Sequence, residues 1–505
     1  MKKLLLSVCI LAAACLVANA QELGKTARYC NPLPMVIGEG SASGDVTVIE
    51  WKGDYYMYCT GGGAWVSHDM LNWEFHYVEH VPVAPDVAEY KGKFYMTGND
   101  SHVWVADNPL GPFEILSEFK DKPDMKGGWS QGFDTKIYID DDGKPYLFWP
   151  GMAISGIYST ALDPNDLSRF VGPVTHHFSF NPAHVWERQG EQNEFTDVAW
   201  IEGPWVYKHN DTYYLQYSAS GTQWRTYAEG YYKSKHVQGP YTYAGNNPLL
   251  RRTDGVVTGP AHGCMITGPD GGIWQFYTVV LRSGGRRIGM DRVLVDANGD
   301  LTCQVTDTPQ WAPGAVKDPS AGDSGSVIVS VGKVTNGSGG GTVRANAASS
   351  EKPGRGAEYA VDNSTATWWE PEDGDKQPTL TLNLSPAVDR DRVQEFTIDG
   401  ARLLFSANSR GFGGTRGGTP PIYKYRIETS KDGVNFTTVL DMSKNDVPRN
   451  TIFDEIKPTA CRYVRLVMLD WPKNAPLGIL EFSVFGKATG WSPSQTPVPP
   501  RVGEE

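Results

Sequence analysis

A hairpin pattern that occurs five times in the first 300 residues constrains the fold of this chain more than any other feature. Each copy has an apolar run, a turn that contains Gly or Asp, and a second run rich in aromatic residues, which is the pattern of two antiparallel strands. The turns with their second runs are residues 53–58, 92–96, 143–147, 211–215 and 272–276. Their spacing of about 39 to 68 residues brackets the roughly 40 to 50 that is typical of propeller blades. The repeat predicts an all-β chain that begins with a five-bladed β-propeller, and a β-sandwich built from the same hairpins fits a fivefold repeat less well.

The composition agrees with this fold and excludes two classes of protein. With 56 Gly, 34 Pro, 16 Trp, 24 Tyr and 18 Phe among 505 residues, the chain is rich in turn formers and in aromatic strand formers. Hydrophobic residues make up 40% and charged residues 21%, which indicates a globular protein and not a disordered one. The net charge of −12 is the opposite of the basic footprint of a nucleic-acid-binding protein, so we expect no nucleic-acid partner.

The N-terminus predicts export. A basic start is followed by the apolar run 4–17, which is short for a membrane span, and by the small residues 18–20. This order is typical of a secretory signal peptide that covers residues 1–20. Lipidation of Cys15 is the alternative, although Ala12 stands where a lipid-attachment box normally has Leu. We therefore predict a periplasmic, cell-surface or secreted protein without a transmembrane segment, and we expect a monomer.

The cysteines of the mature chain predict buried thiols. The set is odd in number and widely spaced, which is typical neither of a disulfide framework nor of a metal site. Most of them are expected to act as small buried hydrophobic residues, and at most one or two pairs could form after export. They are Cys30, Cys59, Cys264, Cys303 and Cys461.

Ionisable residues stand in similar places at the start of the first strand in four of the five repeats. Asp45 lies eight residues before its turn, Asp134 and Glu202 lie nine before theirs, and His262 lies ten before. The innermost strand of a propeller blade lines the central channel, so a propeller gathers these side chains at one end of that channel. Asp86, six residues before its turn, lies in a context that resembles a strand entry and is interpreted as structural.

Three carboxylates in one cleft have two main uses, metal binding and acid–base chemistry. Calcium sites draw several ligands from one short loop, whereas these acids come from separate blades. Hydrolysis of a glycosidic bond with inversion needs two carboxyl groups in opposite protonation states, about 6.5–9.5 Å apart. A third carboxylate can raise the pKa of the acid by like-charge repulsion. Three acids on three inner strands can supply the geometry that this hydrolysis needs.

Aromatic residues near these acids are candidates for stacking on sugar rings, although the core is the usual place for any single Trp. Four tryptophans lie close to the acids in sequence: Trp129, Trp149, Trp200 and Trp205. Of these, Trp149 and Trp205 are the predicted substrate contacts.

The ordered set of motifs resembles family 43 glycoside hydrolases over about residues 31–313. The motifs are 45–49 before 53–56, 133–135 before 140–143, Glu202-Gly203-Pro204 before Tyr213-Tyr214, and Ala261-His262-Gly263. The resemblance implies that Asp45 is the general base, that Asp134 positions the acid and tunes its pKa, and that Glu202 is the general acid. One departure is Val46, where the family often has Pro, and some relatives lack a working base.

The same resemblance implies an inverting reaction without an organic cofactor. His262 would lie on the axis, where the family often holds a metal ion, usually calcium, or a water cluster. Arg286 or Arg287 would contact substrate hydroxyls near the acid. The loops 184–197 and 222–229 are expected to determine which sugar is recognised.

Plant polysaccharides or oligosaccharides that contain arabinose or xylose are the implied substrates. Exo-acting removal of α-L-arabinofuranosyl groups is favoured. β-Xylosidase and exo-acting galactan or galactofuranoside hydrolase are alternatives within the same fold, and an endo-acting enzyme would need an open channel. A catalytically silent sugar-binding protein is the alternative from another class.

The chain changes character after the repeats. The predicted organisation is a signal peptide (1–20), a propeller (25–314), a linker with a strand at 327–334 (315–341), a second β module (342–487) and a disordered tail (488–505). The second module resembles discoidin-like (coagulation factor C-type) jelly rolls, which often bind carbohydrate. Its candidate sugar contacts are Trp368, Trp369 and Arg410, and a structural appendage packed on the propeller is the alternative. The loop 406–420 could reach the catalytic pocket or a partner.

Overall fold

The computed structural model describes residues 27–38, 43–120, 133–315, 324–333, 347–385, 392–406, 420–473 and 475–493. The predicted signal peptide with Cys15, most of the loop 406–420, Trp129, Arg410 and residues 494–505 lie outside the described part. Within it, the chain forms strands and two short 3₁₀ turns, Val185–Glu187 and Ala357–Ala360. No helix in these ranges is long and apolar enough to cross a membrane.

The five hairpins predicted from the repeats are the first two strands of five antiparallel sheets. The short strand β1 (Arg28–Tyr29) precedes them. Blade 1 contains β2 (Thr47–Trp51), β3 (Asp54–Tyr58), β4 (Ala64–Ser67) and β5 (Glu74–His76). Blade 2 contains β6 (Asp86–Tyr90), β7 (Lys93–Thr97), β8 (His102–Ala106) and β9 (Glu114–Glu118). Blade 3 contains β10 (Lys136–Ile139), β11 (Pro145–Pro150), β12 (Ile157–Asp163), β13 (Asp166–Phe170) and β14 (Thr175–Phe178).

Two further blades complete the propeller. A hairpin, β15 (Arg188–Gln189) and β16 (Phe195–Ala199), leads into them. They are blade 4, β17 (Glu202–His209), β18 (Thr212–Ala219), β19 (Ala228–Ser234) and β20 (Thr242–Tyr243); and blade 5, β21 (Ala261–Thr267), β22 (Ile273–Val280), β23 (Arg286–Val295) and β24 (Leu301–Cys303). Strand β25 (Gln310–Trp311) then pairs with β1.

The sheets are arranged around a central axis. The first strand of each blade contacts the first strand of the next, and that of blade 5 contacts that of blade 1. At this last junction the N–H of Val46 donates to the carbonyl of His262 at 3.3 Å. Strand β22 is buried along its whole length because its sheet has a neighbour on both faces. The described cysteines are free thiols, as expected from their spacing.

The C-terminal module is a sandwich of two four-stranded sheets. One sheet contains β26 (Val327–Ile328), β28 (Arg392–Phe405), β31 (Thr451–Cys461) and β33 (Ile479–Pro493), and the other contains β27 (Thr379–Asn383), β29 (Lys424–Ser430), β30 (Thr437–Asp441) and β32 (Tyr463–Asp470). Their inner faces enclose one apolar core, in which Trp369 is fully buried. This agrees with the predicted jelly-roll module.

The predicted sequence boundaries of the module differ from those in the structure at both ends. The strand expected in the linker at 327–334 covers Val327–Ile328 and pairs with β33, so it belongs to the sandwich. Residues 488–493, expected to be disordered, extend β33, and Trp491 pairs with Gln394. The reason is that the long strand β28 offers backbone N–H and C=O groups along its whole edge, and pairing satisfies the hydrogen-bonding groups of both strands.

The module packs against blade 5 and the N-terminal segment. Arg402 is fully buried and donates hydrogen bonds to the carbonyls of Asn31 and Asp307. Leu404 and Leu480 of the module lie in the apolar cluster of the propeller. The alternative of a structural appendage packed on the propeller therefore describes this interface.

Candidate active site

One residue at the entry to each blade's first strand has a left-handed backbone conformation. These residues are Asp45 (φ 50°), Ala84 (φ 48°), Asp134 (φ 43°), Gly203 (φ 58°) and His262 (φ 44°). Asp and His are among the few residue types enriched in this conformation, so the backbone and the chemistry favour the same residues. In this ring of equivalent positions, the ring position of blade 4 is Gly203, and Glu202 precedes it by one residue. Asp86 lies two residues after Ala84, the ring position of blade 2.

Asp45 is buried in a set of groups that stabilise its negative charge. Its Oδ1 lies 2.6 Å from Nη1 of Arg286 and 3.2 Å from Nδ1 of His262, and the hydroxyl of Thr60 donates to Oδ2 at 2.5 Å. Burial alone would raise the pKa of Asp45, but Arg286, His262 and Thr60 outweigh it and hold the pKa below its usual value. Asp45 is therefore a carboxylate near neutral pH.

Arg286 is held over a glycine. A Cβ at Gly44 would lie 2.4 Å from Nε of Arg286, and the φ of Gly44 is +115°. Only glycine permits both this conformation and this close approach. The hydroxyl of Ser43 donates to the carbonyl of Arg286 at 2.5 Å, which also fixes the backbone there. Arg286 thus lies in the site beside Asp45, and its contact with substrate hydroxyls stays a prediction.

Asp134 and Glu202 form a coupled pair. One oxygen of each carboxyl group lies within 4.8 Å of the other and of a His262 ring nitrogen. Burial, followed by repulsion from Glu202 and Asp45, raises the pKa of Asp134 well above its usual value. Burial raises the pKa of Glu202 to about 7, against a hydrogen bond that the hydroxyl of Tyr227 donates to it. Two like charges this close disfavour double ionisation, so the pair holds a proton near neutral pH.

His262 is neutral near neutral pH, since burial lowers its pKa more than Asp45 raises it. Its Nδ1 faces Asp45 at 3.2 Å and Asp134 at 3.9 Å. His262 thus lies beside two of the acids, at the place where the resemblance implies a metal ion or a water cluster.

The axial cavity below these groups does not fit a calcium ion. Calcium takes six to eight oxygen ligands, whereas the described groups here that could hold a metal ion supply only two carboxyl groups and one imidazole, from Asp134, Glu202 and His262. The cavity of about 20 Å³ has room for a single water as a further ligand. The buried ammonium of Lys136 already brings positive charge to its wall, 2.7 Å from Asp86 and 3.6 Å from the ring centre of Trp205. Asp86 is thereby paired, as its structural interpretation predicted. The buried hydroxyl of Thr135 in this wall has no hydrogen-bond partner among the described residues, which suits a bridging water.

The structure contradicts both predicted tryptophan contacts. Trp149 is 1% exposed and packs on Tyr158 and Phe170 inside blade 3. Trp205 is 8% exposed and donates from Nε1 to the carbonyl of Met265 at 3.0 Å. Both lie within strands whose two faces are covered by neighbouring sheets, so their rings face the core and not a sugar.

Trp200 is the tryptophan that reaches the acid. It is half-buried, its indole lies close enough to Glu202 to lower the pKa of that carboxyl group, and its ring centre lies 5.9 Å from that of Phe133. Its place in sequence, two residues before Glu202 and outside the strand, was the available signal. A half-exposed indole beside the acid is suited to stacking on a sugar ring.

Arg287 does not face the site. Its Nε donates to Oγ1 of Thr451 in the C-terminal module at 3.1 Å, and the side chain is buried. Neighbouring residues of a strand point to opposite faces, so Arg286 and Arg287 cannot both reach the substrate. The prediction for Arg287 as a substrate contact is therefore wrong.

The two loops expected to recognise the sugar meet at the rim of the site. Nε of Arg225 lies 3.1 Å from a carboxylate oxygen of Glu191, and Arg282 from blade 5 approaches the same carboxylate at 3.8 Å. Within the first loop, however, Trp186 and Glu187 are buried in the core of blade 4. Residues 194–197 of the first loop, and not its buried middle, are exposed to solvent.

The candidate sugar contacts of the C-terminal module are used for packing. Trp369 is 0% exposed in the core of the module. Trp368 packs against the propeller's apolar cluster and is covered by the guanidinium of Arg355, 3.3 Å from the ring centre.

Comparison with known proteins identifies both modules. Residues 36–300 match the family model of glycosyl hydrolases family 43, and residues 344–482 match the F5/8 type C domain. A xylan 1,3-beta-xylosidase from Vibrio sp is 26% identical over 245 residues, which are 41% of this chain and 41% of the relative. A beta-D-galactofuranosidase from Aspergillus niger is 26% identical over 192 residues, 37% of this chain and 48% of the relative. The chain thus spans less than half the length of these two curated relatives.

Further similarities are of the same degree. A xylosidase/arabinosidase from Humicola insolens is 28% identical over 177 residues, 30% of each protein. Among solved structures, a thermostable family-43 glycoside hydrolase is 26% identical, covers 56% of this chain and 99% of its own, and has a TM-score of 0.48.

Proposed function

The chain belongs to glycosyl hydrolase family 43, and we propose that it is an inverting glycoside hydrolase that removes terminal α-L-arabinofuranosyl groups from plant glycans. One observation carries the proposed reaction. Asp45 has a pKa below its usual value, whereas burial raises that of Glu202 to about 7. A hydrolase that inverts the sugar needs this combination, a charged base and a protonated acid in one cleft.

In the proposed reaction, Asp45 removes a proton from a water as that water attacks the anomeric carbon. The bond from this carbon to the leaving oxygen breaks, and Glu202 gives its proton to that oxygen. One proton thus moves from water to Asp45 and one from Glu202 to the leaving sugar. The burial of both carboxyl groups strengthens the electrostatic effects on which these transfers depend.

The neighbours of these groups prepare them for their roles. Arg286 holds Asp45 in its charged form and in place at 2.6 Å. Repulsion from Asp45 adds to the burial that raises the pKa of Glu202, and Asp134 accepts the N–H of Gly203 at 3.2 Å, next to the acid in sequence. Trp200 is the proposed platform for the sugar ring beside the acid.

The choice of sugar rests on the relatives. The matched relative from Humicola insolens is named xylosidase/arabinosidase, and this name supports a pentose as the sugar. β-Xylosidase is therefore the second candidate for this chain. Galactofuranoside hydrolysis is a third, because the Aspergillus niger relative carries that name. A glycan polymer as substrate agrees with the predicted signal peptide, so we also propose export.

The test is hydrolysis of arabinofuranosides, xylosides, galactosides and galactofuranosides by the wild type and by Glu202→Ala. The expected result is turnover of arabinofuranosides, with release of the inverted anomer seen by NMR, and loss of that turnover in the variant. Glu114→Gln, at an exposed position in blade 2, is the matched control and should retain activity. Turnover that survives in Glu202→Ala refutes the assigned acid, and sugar binding without any turnover favours a catalytically silent binding protein.

A further inference from the structure

The two arginines at the start of β23 connect different parts of the molecule. Arg286 pairs with Val280 and Arg287 with Val279 on the neighbouring strand β22. Side chains alternate along a strand. Arg286 therefore reaches Asp45, whereas Arg287 reaches the C-terminal module.

Arg287 is a buried cation at the boundary between the modules. It is 7% exposed, and its Nε donates to the hydroxyl of Thr451, which is 1% exposed at the start of β31. Its Nη2 has no hydrogen-bond partner among the described residues. A buried charge with few hydrogen bonds is costly, so the bond that Arg287 donates to Thr451 helps to determine where the guanidinium lies.

The second hydrogen bond of Arg287 goes to the backbone of the active-site arginine. Its Nη1 donates to the carbonyl of Arg286 at 2.9 Å. Arg286 in turn contacts Asp45 at 2.6 Å. Three consecutive bonds thus connect the C-terminal module to the carboxylate that faces the reaction.

We propose that the C-terminal module positions the catalytic base through this path from Thr451 to Asp45. Thr451 holds Arg287, Arg287 holds the backbone of Arg286, and Arg286 holds Asp45. Arg287 and Thr451 are positioning residues, since neither touches the reacting groups. The inference rests on the proposed function, because it assigns Asp45 the role of base. It gives the module a part in catalysis that does not require sugar binding.

The consequence can be measured in the pH dependence of kcat/KM. Other ionisable groups around Asp45 are Arg286, His262, Asp134, Glu202, Tyr227 and Cys59. Among the groups that favour the carboxylate, Arg286 has the largest effect. Displacement of Arg286 therefore raises the pKa of Asp45, and the acid limb of the profile moves to higher pH.

Thr451→Val is the main variant, because it removes the hydroxyl while keeping a side chain of similar shape. We expect the acid limb to move up by about 0.5 to 1 pH unit, with a fall in kcat and little change in KM. Thr451→Ser keeps the hydroxyl and should restore the wild-type profile. Arg287→Lys is a second variant, since a lysine keeps the charge but loses the forked geometry that makes two directed bonds.

Glu455→Gln is the matched control for a loosened interface. Glu455 of the module accepts a hydrogen bond from Arg28 at 2.9 Å. The substitution removes the negative charge that faces Arg28, which weakens the contact between the modules without changing a contact of β23. We expect a lower or equal Tm with an unchanged acid limb.

A crystal structure of Thr451→Val gives a readout that needs no substrate. A longer distance from Nη1 of Arg286 to Oδ1 of Asp45 supports the inference. If Thr451→Val lowers Tm like Glu455→Gln but leaves both the distance and the acid limb unchanged, the inference is overturned and the proposed hydrolysis stands. If the wild type cleaves no glycoside, the proposed function fails, and the distance alone tests whether the module positions Asp45.

Discussion

The buried ion pair below the catalytic groups gives the sharpest prediction about stability. Lys136 and Asp86 are 6% and 4% exposed, and their charged atoms are 2.7 Å apart. Lys136→Met removes the cation and leaves the carboxyl group of Asp86 with the N–H of Ile137, at 2.9 Å. Because a methionine supplies no positive charge there, we expect a buried, poorly compensated carboxylate.

The size of the effect follows from this burial. Removing one partner of a buried ion pair costs about 3–5 kcal/mol. One pKa unit corresponds to about 1.4 kcal/mol, so the penalty is equivalent to raising the pKa of Asp86 by about 2 to 4 units in the folded variant. The folded variant then binds a proton more tightly than the unfolded chain. Its free energy of unfolding therefore falls as pH rises from about 4, by up to about 1.4 kcal/mol per pH unit.

Thermal unfolding at pH 4.5 and pH 7.5 measures this dependence. We expect Lys136→Met to lose much more Tm, relative to the wild type, at pH 7.5 than at pH 4.5. The double variant with Asp86→Asn is the control, because it has no carboxyl group to titrate and should lose a similar amount at both pH values. The reasoning is refuted if Lys136→Met loses the same amount of Tm at both pH values. It is also refuted if the double variant shows the same pH dependence of Tm as Lys136→Met.

Four further predictions concern activity. Gly44→Ala should lower kcat/KM at least about tenfold, since its Cβ would displace Arg286, and circular dichroism separates this loss from unfolding. Activity should fall as pH rises through about 7, because Glu202 must carry its proton, and in a pH–rate profile Tyr227→Phe should move this limb to higher pH by removing a hydrogen bond to the carboxylate. Trp200→Ala should raise KM by up to about tenfold in steady-state kinetics, whereas Trp200→Phe should keep most of the binding. Treatment with a chelator should change neither Tm nor kcat, and a loss that added calcium reverses would contradict the poor fit of the axial cavity to that ion.

The sequence predicts the ring of strand entries well because two independent constraints coincide there. Asp45, Asp134 and His262 are ionisable, and they also take a backbone conformation that favours Asp and His. Counting residues back from each turn therefore found them. The same count placed Glu202 level with Asp134, although Glu202 lies one residue before the ring position of its blade, because a count from the turn does not reveal which residue takes the left-handed conformation.

The errors in the predicted site have a different physical origin. Trp149 and Trp205 lie on strands that are covered on both faces, and proximity in sequence to an acid does not reveal which face a side chain takes. Arg286 and Arg287 were left as equal alternatives, although alternation along a strand already excluded that both reach the site. Which of the two points inward depends on the register of β23, and this register is set by pairing with β22.

Blade 2 offers a place where new chemistry could be introduced. Ala84 has the same left-handed conformation as the polar members of the ring, and it lines the axial cavity. Its N–H donates to the hydroxyl of Thr60 at 2.8 Å, the same hydroxyl that donates to Asp45. Asparagine tolerates this backbone better than alanine. Ala84→Asn would therefore add an amide to the centre of the molecule at little backbone strain. A directed-evolution library could start from this substitution and leave the sequence of the loops around the entrance unchanged.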